Sequence, residues 1–271
     1  MKTLRPLGIA LLVTPALLFL PAARSAPTAP NLATAKAVDL THPFDEHTLY
    51  WPTSPTSFSL TKLSAGQTPG GWFYSSNSFC APEHGGTHLD APYHFSEKGD
   101  TAERIPLSRL IAPAVVLDVR AKCAADADYR LTRPDVEAWE SAHGRIAPGT
   151  IVLLRTGWSA RWPDRKRYLG DDRPGDASNL HFPSFGEEAA KVLVADRRIA
   201  ALGVDTASVD YGPSKDFPVH RIAGAADVPG FENVANLDSV PETGAWVVAL
   251  PMMIAGGSGG PLRIVALIPI P

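Results

Sequence analysis

The chain is poor in the features that would place it in several common classes. It has two cysteines in 271 residues, Cys80 and Cys123, so no disulfide framework can hold it together. Export would permit one bridge between them, but core packing must supply the stability. No block of five or more basic residues occurs, and the formal net charge is −3, which disfavours nucleic acid and anionic membrane surfaces as partners. No internal repeat and no low-complexity linker interrupts residues 37–271. The longest uncharged apolar run, Leu7 to Leu20, is 14 residues, shorter than the roughly 20 a spanning helix needs.

That run has another reading. Lys2 and Arg5 precede it, and Pro21-Ala22-Ala23-Arg24-Ser25 follows with small residues, the layout of a secretory signal peptide over residues 1–25. Its removal takes Lys2, Arg5 and Arg24 and shifts the net charge from −3 to −6. Residues 26–271 then form one domain of ordinary size, secreted or periplasmic, with no membrane attachment after cleavage.

Strand and helix patterns alternate along the chain. Ala114–Val119, Thr150–Arg155, Ile199–Val204, Trp246–Leu250 and Leu262–Ile268 are continuous apolar runs suited to strands covered on both faces. Thr132 is placed to cap a helix with Pro134 in its first turn, and Val136 and Trp139 form its apolar side. Glu187–Arg197 reads as a second helix. Phe58–Leu63 and Gly71–Phe79 read as strands with no helix between them, so an α/β fold with a mixed sheet is expected.

The chemistry concentrates in Glu83-His84-Gly85-Gly86-Thr87-His88-Leu89-Asp90-Ala91-Pro92-Tyr93-His94-Phe95. Three of the eight histidines fall within eleven positions. Imidazole with carboxylate is a common donor set for zinc and other first-row metals. On a helix Asp90 would lie about 200° round from His88. On a straight strand His84 and His88 would be about 13 Å apart. The backbone must therefore bend between them, and Gly85-Gly86 allows it. His88 and Asp90 can then share one face of an extended segment, while Pro92 excludes a helix before His94.

The run His-x-Gly-Thr-His-x-Asp-x-Pro-x-His resembles the signature of the cyclase family, which includes bacterial kynurenine formamidases and isatin hydrolases. Further blocks are similar: Asp39-Leu40-Thr41, Tyr50-Trp51-Pro52, Gly203-Val204-Asp205-Thr206, Ser208-Val209-Asp210, and His220 with Glu232-Asn233. The resemblance implies a swivelling β/β/α fold with a mixed sheet flanked by helices. It implies a metal-dependent amidohydrolase that takes one or two divalent ions, Zn2+ or Mn2+, and assembles as a dimer or tetramer. By the same resemblance His84, His88, Asp90, His220 and Glu232 are metal ligands, His94 is the catalytic proton carrier, and Trp51 packs on the substrate. The substrate class is a small aromatic formamide or cyclic amide, with isatin hydrolysis or another ring-opening or ring-closing activity as the alternative. A non-catalytic periplasmic metal- or ligand-binding protein is the reading from another class, and an intact His94 weighs against it. His42, His47 and His143 are expected at the surface, and His181 lies in a loop whose distance from the cluster the sequence leaves open.

Overall fold

The computed structural model describes residues 29–270, so the leader expected over residues 1–25 lies outside them. Among the described residues no helix is long and apolar enough to cross a membrane. The strands are β1 (Lys36–Asp39), β2 (Ser59–Gln67), β3 (Phe73–Cys80), β4 (His88–Asp90), β5 (Ile111–Asp118), β6 (Arg130–Leu131), β7 (Ile151–Arg155), β8 (Ser184–Phe185), β9 (Ala201–Val204), β10 (Gly230–Glu232), β11 (Ala245–Pro251) and β12 (Gly259–Ile268). Eight of them form one sheet in the order β1-β12-β11-β5-β7-β9-β10-β4, and β4 pairs again with the start of β12. That second pairing closes the sheet into a barrel with helices outside it. The sheet is mixed: β5, β7, β9 and β10 run parallel, whereas β11, β12, β4 and β1 pair antiparallel.

The apolar strands are covered on both faces, and period-two alternation sorts their side chains. Val116, Ile151, Leu153, Phe231, Val247 and Ile264 fill the interior of the closed sheet. Their neighbours Leu117, Val152, Leu154, Leu202 and Val204 point outward to a second core against Val136, Ala190 and Leu193 of the helices. Gly203 has no room for a side chain, because an added Cβ would lie 2.5 Å from Leu153.

The helix at Arg133–His143 starts as its sequence dictates. The Asp135 amide donates to the Thr132 hydroxyl, and the Thr132 amide donates back to the Asp135 carboxylate at 2.7 Å, a capping box with Asp in the acidic position. The segment 187–197 is helical, but its second half, Val192–Asp196, winds more widely as a π turn. Strands β2 and β3 exist as expected but do not join the main sheet. They pair only with each other, as a ribbon standing off the body. The two cysteines are free thiols, Cys80 exposed and Cys123 buried.

Asp135 also accepts from Tyr129 and pairs with Lys122. Burial opposes its charge, but Lys122, Tyr129 and Thr132 together hold its carboxyl down to about 2. A folded value below the unfolded 3.8 means the contribution is present above pH 3.8 and lost as pH falls toward 2. Asp135→Asn should cost about 1–2 kcal/mol at neutral pH, after allowance for solvent screening. Urea denaturation of the two proteins at pH 7 and pH 3 checks it, and the gap should narrow at the lower pH.

Candidate metal centre

The three-residue strand β4 organises the site. Leu89 points into the barrel, so its neighbours His88 and Asp90 point out of it on the opposite face. Strand β10 pairs antiparallel with β4 and sets Glu232 directly across from His88, with Gly230 across from Asp90. On the other edge Gly259 of β12 stands across from Asp90. Both cross-strand neighbours of Asp90 therefore lack a side chain, which leaves room beside its carboxylate for the imidazoles that reach it.

Upstream, the bend that Gly85-Gly86 was expected to make is present. Gly86 has φ +59°, and a Cβ there would lie 2.6 Å from the Phe44 ring. The bend returns His84 to the cluster, with its Nδ1 2.6 Å from Asp90 Oδ1. The short turn Pro92–His94 brings the His94 ring parallel to His84 at 3.8 Å. His220 arrives from a distant element, the helix Pro218–Ala225.

Four residues, His88, Asp90, Glu232 and His220, bring their donor atoms together. His88 Nε2 is 3.2 Å from Asp90 Oδ1 and 3.5 Å from Glu232 Oε2. His220 Nε2 is 3.1 Å from Asp90 Oδ2 and 3.2 Å from Glu232 Oε1. Donors bonded to one tetrahedral zinc stand about 3.3 Å apart, so these spacings fit a first-row ion. His88 Nε2 is fully enclosed and makes no hydrogen bond, an orphaned buried atom that an ion between the two carboxylates would satisfy. Two donor groups result, His84 with His88 and Asp90, and Asp90 with His94 and His220. Asp90 belongs to both and offers one oxygen to each. His94, assigned as a proton carrier by resemblance, also lies within ligating distance of the second group.

The electrostatics favour cations. Burial and the Asp90 charge beside it push the Glu232 carboxyl up. Burial also opposes the Asp90 charge, yet His84 and His88 hold its carboxyl well below the usual carboxylate range. Against their own burial, His88 is pushed up to about 9, mainly by Asp90, and His220 well above its usual value by Asp210, Asp90 and Glu232. His94 is different: burial dominates and lowers it to about 4, so its ring is neutral at physiological pH.

Residues around the donors fix their orientation. The His220 Nδ1 donates to Asp210 at 2.7 Å, and Asp210 also accepts from the amides of Val219 and His220 at the helix start. The same carboxylate thus caps the helix and turns the His220 Nε2 inward. The His88 Nδ1 donates to the Gly86 carbonyl, which also accepts from the Asn233 side chain at 2.7 Å. Asn233 in turn accepts from the buried Tyr168 hydroxyl. The Val209 amide donates to Glu232. Sequence reasoning quoted Asp210 and Asn233 only as parts of similar blocks. Their roles follow from contacts across 10 and 147 residues that no local pattern encodes.

A small pocket opens beside the cluster between Trp51, Tyr50, Leu169 and Ala207 and the polar side chains of His84, His88, Glu232 and Asn233. Trp51 therefore lines the site, its ring edge-on to Phe182 and Phe217. Ser208 is buried and accepts from the Asp210 amide. His181 pairs with Asp128 at an exposed position and takes no part in the cluster. His42 departs from expectation. It is half-buried, stacked on Trp162 at 4.3 Å and hydrogen-bonded to Ser159, with its amide held by the Thr87 hydroxyl.

Residues 38–211 match the family described as "Putative cyclase". An isatin hydrolase of Roseibium aggregatum is 34% identical over 207 residues, spanning 73% of this chain and 77% of that one. A kynurenine formamidase of Salinibacter ruber is 28% identical, over 67% of this chain and 74% of its own. The crystal structure of an isatin hydrolase bound to the product analogue thioisatinate superposes with a TM-score of 0.80 at 30% identity, covering 88% of this chain and 94% of that one. Isatin hydrolase A from Ralstonia solanacearum gives 0.76 at 33% identity, covering 86% and 92%. The chain belongs to the cyclase family and is a metal-dependent hydrolase.

Proposed function

We propose that this hydrolase opens the C–N bond of a small aromatic cyclic amide, with an aromatic formamide as the neighbouring substrate class. The observation that carries the reading is the buried carboxylate–imidazole cluster forming one wall of a cavity whose other walls are Trp51, Tyr50 and Leu169. An indole facing a polar wall has the chemistry to receive a flat aromatic amide. Relatives named isatin hydrolase support the cyclic amide, and those named kynurenine formamidase support the formamide.

In this reading His84, His88, Asp90, His220 and Glu232 hold one or two divalent ions, Zn2+ or Mn2+. An ion so held supplies Lewis acidity and lowers the pKa of water toward about 7. Trp51 holds the aromatic ring of the substrate. His94 carries the proton from water to the leaving nitrogen. Its ring is neutral, stacked against His84 and 5.8 Å from His220, so it is placed to accept a proton at the cluster. Metal analysis of the purified protein, with hydrolysis assays on isatin and N-formylkynurenine, tests the proposal. His94→Ala should keep its metal and lose about 10²- to 10⁴-fold in kcat. Full activity in that variant would sink the proton-carrier role, and metal without turnover on either substrate class would sink the amidase reading.

We further propose that residues 26–271 act as one exported domain, on the strength of the leader composition. Mass spectrometry of protein recovered outside the cytoplasm should find a chain beginning near residue 26.

The ribbon of β2 and β3 supports assembly into a homo-oligomer. Leu60, Leu63, Trp72, Phe73 and Phe79 are each more than half exposed, on both faces of the ribbon, and Lys62 is the only charge in either strand. A two-stranded ribbon is marginal in water without a covering surface. A second copy of the chain, bringing the same apolar ribbon with its single lysine, is the occupant we propose. Sedimentation velocity should find a dimer or tetramer for the wild type and a shift to monomer when the facing pair is changed as Leu60→Ser with Phe79→Ser. A monomeric wild type would refute the assembly.

A further inference from the structure

The loop Gly256–Gly260, just before and within the first residues of β12, passes unusually close to the metal cluster. A Cβ on Gly259 would lie 2.7 Å from the His84 ring and would also strike the Leu89 carbonyl. A Cβ on Gly257 would lie 2.8 Å from the Glu83 carboxylate. Pairing of Gly259 with Asp90, and the bond from the Ala91 amide to the Ser258 carbonyl, hold the loop in place. The residue this tight path delivers is Ser258. Its hydroxyl is 2.8 Å from His84 Nε2 and 2.6 Å from Glu83 Oε2.

The direction of these two bonds follows from counting protons. The Ser258 amide also donates to Glu83 Oε2, at 3.0 Å, which marks that oxygen as an acceptor. A serine hydroxyl has one proton to give, and the 2.6 Å contact with the carboxylate takes it. Toward His84 the Ser258 oxygen can then only accept. His84 must then donate from Nε2, so Nδ1 is the nitrogen left for an ion, in place of the hydrogen bond it gives Asp90 without one. That nitrogen is the one 2.6 Å from Asp90. The arrangement at His88 and His220 is the reverse, because Gly86 and Asp210 engage their Nδ1 atoms and leave Nε2 for the cluster.

We propose that Glu83 and Ser258 are positioning residues that fix the tautomer of His84, so that it ligates through Nδ1 while His88 and His220 ligate through Nε2. The inference rests on the metal reading of the cluster. It gives a reason for Glu83 directly before the first histidine and for a serine set among glycines 175 residues later. The relay Glu83–Ser258–His84 serves the histidine from outside, as Asp210 serves His220.

The test needs no variant to begin with. In zinc-loaded wild-type protein with 15N-labelled histidine, long-range proton–nitrogen correlation should show His84 protonated at Nε2 and not at Nδ1. The His84 signals are assigned by their loss in His84→Gln. Ser258→Ala and Glu83→Ala should weaken zinc binding by roughly 10- to 100-fold in competition with a chromophoric chelator. The thermal midpoint of the metal-free proteins reports separately whether they fold. A zinc-loaded wild type with the proton on Nδ1, or a folded Ser258→Ala protein that binds zinc as tightly as wild type, overturns this assignment alone. A wild type that takes up no zinc or manganese overturns the metal reading and this assignment with it.

Discussion

The pairing of β4 with two partners is the constraint on which the rest of this structure depends. Three residues of strand close the barrel, with β10 on one edge and β12 on the other. Antiparallel register then determines who faces whom outside the barrel: His88 meets Glu232, and Asp90 meets two glycines. A slip of one residue would send His88 and Asp90 inward and Leu89 outward. Leu89 in the barrel core is thus as much a part of the site as the donor side chains beside it. The hydrophobic interior sets the register, and the register sets the chemistry.

Two carboxylates buried side by side are a poor way to stabilise a fold. Asp90 and Glu232 persist because the surroundings over-determine their positions. Asp90 contacts three imidazoles, and Glu232 contacts two imidazoles and a backbone amide. The cost falls on the site, and the two apolar cores on either face of the sheet offset it. Conflict between local stability and local composition is what a functional centre looks like in physical terms.

Much of this was legible in the sequence. The bend at Gly85-Gly86 and the shared face of His88 and Asp90 followed from helix and strand geometry. The capped helix at Thr132 and the apolar strands followed from local propensity. What could not be read were relations between distant segments. Nothing local announces that Asp210 turns His220, or that Asn233 holds the carbonyl under His88. The ribbon shows the limit most plainly: its two segments read as strands, but only tertiary structure separates a strand in the main sheet from one standing off it. His42 was misread for a similar reason, since a stacking partner 120 positions away is invisible to composition.

Asp210 joins two jobs that most proteins assign to different residues. It closes the first turn of the helix Pro218–Ala225 and it aims the ring that this helix carries. The helix has no other side-chain cap, and Phe217 at its start sits in the left-handed region. The helix start and the orientation of the His220 ring are therefore coupled through one carboxylate, and fraying of the first turn loosens the hold on the ring.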